Sequence, residues 1–158
     1  MRTIQDELAD VPLFAGLRPE HLALVAGCGR NVAHAAGEHL FREGDPADLF
    51  WALRAGRVAI ELHAERRGAL TVETLGEGEV VGWSWLFPPH RYAFDARVVE
   101  PVRAIAFDGA CLRGKCERDH ELGYELMKRM ARLFTRRLAA TRWQLLDVYG
   151  APAAPGPV

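Results

Sequence analysis

The sequence predicts a mainly β domain with added helices, and three observations carry that prediction. From Asn31 to Phe107 apolar and polar residues alternate in short runs, and Gly, Asp and Pro clusters separate the runs at roughly ten-residue intervals, the spacing of an all-β roll or sandwich. One short amphipathic stretch precedes this segment. After it, the apolar period lengthens to alternating threes and fours as far as Val148. Successive side chains alternate across a strand, whereas residues three and four apart share a helix face, so the change of period is a change of element.

At the N-terminus, Val11-Pro12-Leu13-Phe14-Ala15-Gly16-Leu17 leads into Arg18-Pro19-Glu20-His21-Leu22. Proline suits a first helical turn, where its missing N–H would be unpaired anyway. Glu20 favours the positive end of the dipole. Leu22, Val25 and Ala26 form the apolar face of a short helix that Gly27 and Gly29 should end. Strands are expected at His39–Phe41, Leu49–Leu53, Val58–Leu62, Leu70–Thr74, Phe94–Val98 and Val102–Phe107. Gly44-Asp45-Pro46 and Ala55-Gly56-Arg57 are turn chemistry. Asp108 is placed to cap a short helix running through Cys116.

A long helix is expected from about Asp119 to Tyr149. Along it His120, Tyr124, Met127, Ala131, Phe134, Leu138, Thr141, Leu145 and Val148 make an unbroken seam of coiled-coil spacing. Such a helix spans roughly 45 Å at about 1.5 Å per residue. A domain of this size cannot follow so long a stripe, so a homodimer paired through Tyr124, Met127, Ala131, Phe134, Leu138, Thr141 and Leu145 is expected. The tail from Gly150 to Val158 is proline-rich and expected to be disordered.

The 158 residues suit a single domain with one sizeable core. Hydrophobic residues make up 49% and charged residues 26%, which fits an ordinary soluble protein. Net charge is −1, so no global pull toward nucleic acid or anionic lipid is expected. Asp6 and Glu7 stand where a signal peptide would need an apolar run, and the expected location is cytoplasmic, without a membrane span. Cys28, Cys111 and Cys116 cannot all pair with one another and are expected to be free thiols.

The glycine-punctuated turns Ala36-Gly37-Glu38, Arg42-Glu43-Gly44-Asp45-Pro46-Ala47-Asp48, Leu53-Arg54-Ala55-Gly56-Arg57-Val58 and Gly76-Glu77-Gly78-Glu79 precede Leu75–Glu100, LGEGEVVGWSWLFPPHRYAFDARVVE, which has the outline of a phosphate-binding cassette. In these residues the chain, from about Val11 to about Tyr149, resembles the cyclic nucleotide-binding domain family, the sensor half of Crp/Fnr-type regulators. The resemblance implies a double-stranded, jelly-roll-like β-roll at about 30–107, with N-terminal helices and a long dimerising helix at about 119–149. It also implies a regulatory role without catalysis, and a cyclic nucleotide or related small anion as ligand rather than a resident cofactor. A Crp-type regulator continues into a helix-turn-helix domain, whereas this chain stops, so sequence-specific DNA binding is not expected.

In that family the cassette opens at Gly-Glu, where a short helix directs backbone N–H groups at the phosphate, and an Arg about nine positions later pairs with it. Gly78, Gly82 and Leu86 match this frame. Trp83 stands at the Glu position, Tyr92 at the Arg position, and Arg91 is its neighbour, which a slip of the loop around Pro88-Pro89 would bring to the phosphate. The resemblance therefore places the ligand at Gly82, Trp83, Ser84, Trp85, Leu86, Arg91, Tyr92 and Ala93, with a short helix opening at Ser84. A hydrogen bond to a charged group contributes ~1.5–3 kcal/mol, so losing both contacts would weaken binding ~10²–10⁴-fold. The aromatic run Trp83, Trp85, Phe87, Tyr92 and Phe94 leaves two readings open: a pocket that stacks a flat ligand, or a pocket that these rings fill themselves.

Two further motifs carry weaker signals. His39 and Glu43 supply two members of a cupin-like metal set, but position 37 is Gly, so neither a metal nor a catalytic group is expected. Lys128, Arg129, Arg132, Arg136, Arg137 and Arg142 form a basic stripe on the long helix, read as a solvated face in preference to a nucleic-acid contact.

Overall fold

The computed structural model describes residues 1–149. In chain order the elements are α1 (Ile4–Leu8), α2 (Pro19–Ala26), β1 (Gly29–His34), β2 (His39–Phe41), β3 (Leu49–Ala64), β4 (Gly68–Leu75), β5 (Val80–Val81), β6 (Asp95–Asp108), α3 (Gly109–Arg118) and α4 (His120–Tyr149). All strand pairs are antiparallel, in the order β1-β6-β3-β4, with β2 added to β6 and β5 to β3. Mainly antiparallel sheet with flanking helices and a long C-terminal helix is the expected fold class.

The strand expectations need one revision. Leu49–Leu53 and Val58–Leu62 belong to one strand, β3, and Phe94–Val98 and Val102–Phe107 merge, from Asp95, into β6. Turn residues at Ala55-Gly56-Arg57 become register shifts within the β3–β6 ladder instead of a chain reversal. Gly56 sits at φ +89°, and a Cβ there would collide with the Pro101 carbonyl, so the two long strands bend against each other at a point only glycine allows. One helix was also not foreseen. Thr3 accepts from the Asp6 N–H and Asp6 answers to the Thr3 N–H, a capping box that starts α1 and sends Leu8 into the core.

Alternation along β3 divides the interior. Phe50 and Ala52 face the helices, in a cluster with Phe14, Leu22, Trp85, Phe107, Leu112 and Leu122. Trp51 and Leu53 face the inside of the roll, with Phe41, Ile60, Tyr92 and Val98. Asp108 caps α3 by accepting from the Cys111 N–H, as expected.

The cysteine expectation is corrected: Cys28 and Cys111 form a disulfide, with Cα atoms 5.9 Å apart, and only Cys116 is free. The two are 83 residues apart in the chain. They meet because Gly29 pairs with Phe107 in the β1–β6 ladder, which sets the end of α2 beside the start of α3.

Helix α4 uses two faces. Leu122, Leu126 and Met130, spaced by four, are buried against the chain's own core, and Leu133 packs partly against it. Tyr124, Met127, Ala131, Leu138 and Thr141 are exposed, whereas Phe134 is half-buried. The Leu145 side chain and the tail 150–158 lie outside the described residues. Among the described residues no helix is long and apolar enough to cross a membrane.

Candidate functional site

Between β5 and β6 the chain carries the aromatic run, and its residues go to different parts of the molecule. Gly82 is buried at φ +89°, with the Leu49 carbonyl 3.5 Å from where a Cβ would stand. The turn this permits brings Trp83 out toward α4. Its half-buried indole meets Phe94 at 5.3 Å and Phe134 at 6.0 Å between ring centroids, both edge-on. The Arg137 guanidinium lies over the same ring, 5.4 Å from its centroid. Arg137 also donates to the Val80 carbonyl and faces the Glu73 carboxylate at 3.8 Å. Burial pushes the Arg137 pKa down; Glu73 and Glu79 oppose this, and the neighbouring Arg136 adds to it.

Ser84 does not open a helix. Trp83–Pro89 runs as turns, with Leu86 N–H donating to the Trp83 carbonyl at 3.0 Å and His90 N–H to the Phe87 carbonyl at 2.9 Å. Pro88 and Pro89 have no N–H to extend a helical ladder. Ser84 and Leu86 are half-buried and Ala93 is exposed.

Trp85 lies in the core facing the helices, 2% exposed and stacked on Phe50 with centroids 4.6 Å apart. Its close fit requires a glycine opposite, since a Cβ on Gly109 would stand 2.7 Å from the Trp85 Cβ. Tyr92 belongs to the other cluster, inside the roll, stacked on Phe41 at 3.7 Å with the planes 7° apart. Its hydroxyl donates to the Leu49 carbonyl at 2.6 Å and accepts from the Leu49 N–H at 3.3 Å. Burial pushes the phenol pKa up to about 12, against the Leu49 hydrogen bond, which lowers it. Arg91 is exposed and donates to the Gly44 carbonyl at 2.9 Å. The eight cassette residues therefore do not line one space.

Sequence reasoning missed the partners of both key aromatics. Arg137 comes to Trp83 from α4, distant in sequence, and no local pattern announces it. Phe41 could have been found, because strand alternation places it on the inward face of β2.

A polar cluster sits farther along the roll. Asp95, 3% exposed, accepts from the Glu43 N–H at 2.8 Å and contacts His63 Nε2 at 2.5 Å. On the adjoining residues Arg97 pairs with the buried Glu61 at 2.8 Å. His39 Nδ1 contacts Arg42 at 3.3 Å, so the suggested His39 and Glu43 pair is otherwise engaged: Glu43 presents its backbone here. Among the described residues no three His, Cys, Asp or Glu side chains are grouped to hold a metal.

Comparison with known proteins accords with this architecture. A CRP-like cAMP-activated global transcriptional regulator of Mycobacterium tuberculosis is 28% identical over 143 residues, 89% of this chain and 61% of that protein. The chain thus spans less than two-thirds of that relative's length. A solved Geobacter metallireducens protein named for cyclic nucleotide binding is 30% identical, with a TM-score of 0.77, over 87% of this chain and 99% of that one. A cyclic nucleotide-binding domain from Methylobacillus flagellatus, at 18% identity, shares the fold with a TM-score of 0.79 over 96% of this chain and 85% of its own. Residues 32–119, more than half of the 158, match the cyclic nucleotide-binding domain family, and the chain belongs to that family.

Proposed function

We propose that this domain is a non-catalytic regulatory sensor that acts in the cytoplasm as a homodimer through α4, and that its ligand is a cyclic nucleotide or related small anion held without the usual Glu and Arg contacts. One observation carries the reading: Trp83, at the Glu position of the cassette, is bound from the other side by Phe134 and Arg137 of α4. Anything that enters beside Trp83 must disturb contacts made by the helix that bears the exposed Tyr124, Met127, Leu138 and Thr141 stripe. Occupancy and helix position are thereby linked. Affinity for cyclic AMP should be low, because no carboxylate meets the ribose hydroxyl and no free guanidinium meets the phosphate.

Calorimetry with cyclic AMP and cyclic GMP tests this. Trp83→Glu should raise the affinity, and sub-micromolar cyclic AMP binding by the unaltered protein would overturn the weak-ligand reading. Light scattering should report a dimer at tens of micromolar, reduced to monomer by Leu138→Glu, which puts like charges face to face in the seam. Sequence-specific DNA binding is not part of this reading; a tight, salt-tolerant complex with one duplex but not its scrambled version would refute that.

A second reading has its own support. Tyr92 is fully hydrogen-bonded to Leu49 and stacked within the roll, where an open pocket would leave it free. On this reading the pocket is closed and the dimer recruits a protein partner. No heat with any nucleotide, before or after Trp83→Glu, favours it.

A further inference from the structure

A cleft of about 1030 Å³ runs between α4, the N-terminal loop at Pro12–Ala15 and the turn between β4 and β5. Five cationic side chains of α4 line it: Lys128, Arg129, Arg132, Arg136 and Arg137. Lys128, Arg132 and Arg136 follow one another at intervals of four, so like charges share a face and repel.

Three carboxylates offset part of this charge, and two of them, Glu73 and Glu79, line the cleft. Glu73 faces Arg137, and Glu79 accepts from the Gly76 N–H at 2.6 Å. Glu125 is shared between Lys128 at 3.0 Å and Arg129 at 3.8 Å. Arg129 is fixed by the Leu13 and Ala15 carbonyls at 3.1 and 2.5 Å, while its buried Nε has no hydrogen-bond partner. Among the described residues neither Arg132 nor Arg136 makes an ion pair, and both are exposed at the cleft. In a chain of net charge −1 this is a local concentration of uncompensated positive charge. It stands in a concave site slightly larger than the ~300–1,000 Å³ usual for small-molecule pockets.

We infer that this cleft, which adjoins the cassette through Arg137 but lies on the outer side of α4's basic residues Arg132 and Arg136, is a second anion site that takes a small molecule bearing several phosphates. Arg132 and Arg136 supply two forked donors suited to neighbouring phosphate oxygens, while Lys128 and Arg129 are already shared with Glu125. A single phosphate would satisfy only part of this set, so affinity should rise with the number of phosphates. The site rests on the excess charge of the cleft and does not depend on what the cassette binds.

Calorimetry with inorganic tripolyphosphate, orthophosphate and adenosine triphosphate tests it. Tripolyphosphate and the triphosphate should bind with one site per chain and orthophosphate far more weakly. Arg132→Gln with Arg136→Gln should weaken tripolyphosphate binding about 100-fold, on the scale of two charge-assisted hydrogen bonds. Both residues are exposed, so the thermal midpoint of the variant should stay close to that of the parent. The same double variant should leave the response to cyclic AMP unchanged, which separates this site from the cassette. No heat with tripolyphosphate at millimolar concentration would overturn the inference. So would equal binding by the double variant, or tighter binding of a duplex oligonucleotide than of tripolyphosphate, which would make the cleft a nucleic-acid face.

Discussion

Trp83 and Trp85 have the same side chain and are separated by one residue, yet they serve different parts of the molecule. Trp85 is 2% exposed, stacked on Phe50 and pressed against Gly109. Trp83 is half-buried, touched at its edges by Phe94 and Phe134 and covered by a guanidinium on a long side chain. The first is held by backbone geometry and close packing. The second is held by side chains from other elements, one of them Arg137, tied to the Val80 carbonyl and Glu73. Aromatic character alone therefore does not mark a ligand position; what distinguishes the two is how far each is buried.

The largest effect should come from the buried member. Trp85→Ala removes a buried ring from a close-packed cluster and should cost ~3–5 kcal/mol of stability, measured by urea unfolding. Trp85→Phe should recover most of that, because Trp85 Nε1 is buried without a hydrogen-bond partner and its loss strands nothing. A cost under about 1 kcal/mol for the alanine variant would erase the contrast with Trp83.

Tyr92 extends the contrast inside the roll. Tyr92→Phe keeps the stack on Phe41 but deprives the Leu49 N–H and carbonyl of their side-chain partner. The expected loss is ~1–3 kcal/mol with no change in oligomeric state. Tyr92→Phe at no cost would mean that water reaches Leu49, and hence that the roll is open.

Charge shows the same division. Asp95 is buried; burial raises its pKa, but the Glu43 N–H and His63 outweigh that and hold it below the ordinary 3.8. A carboxylate depressed on folding stabilises the protein above its unfolded pKa. That contribution is lost as pH falls through the folded value. Stability should hold at neutral pH and decline from below about pH 5 toward pH 3. Asp95→Asn should flatten that decline in denaturation series across the range; an unchanged slope would remove Asp95 as its source.

How much of this was legible in sequence follows from the range of each interaction. Strand β2 at His39–Phe41, the cap at Asp108 and the helix from His120 to Tyr149 depend on residues within a few positions, and the sequence reading found all three. The continuity of β3 and β6 was hidden, because Gly56 reads locally as a turn and only the approach of Pro101 makes it a bend in a ladder. The Cys28–Cys111 bond needed the β1–β6 register, 83 residues apart in sequence. The buried, positive-φ turn at Gly82 was legible in the glycine pattern, but the contacts of the aromatic residues around it were not. Arg137 meets Trp83 only because α4 packs back on the roll through Leu122, Leu126 and Met130.

The smallest effect belongs to the half-buried member. Trp83→Ala gives up two edge-on aromatic contacts and one cation–π contact, and the half-exposed position lets water replace what is lost. The expected cost is about 1–2 kcal/mol, below that of Trp85→Ala. The change should free Arg137 to turn toward solvent while the roll stays intact. Hydrogen exchange should then quicken in α4 near Phe134 and Arg137 and stay unchanged in β3 and β6. Exchange that quickens throughout the sheet would make Trp83 as structural as Trp85, and the proposed link between the ligand site and α4 would lose its support.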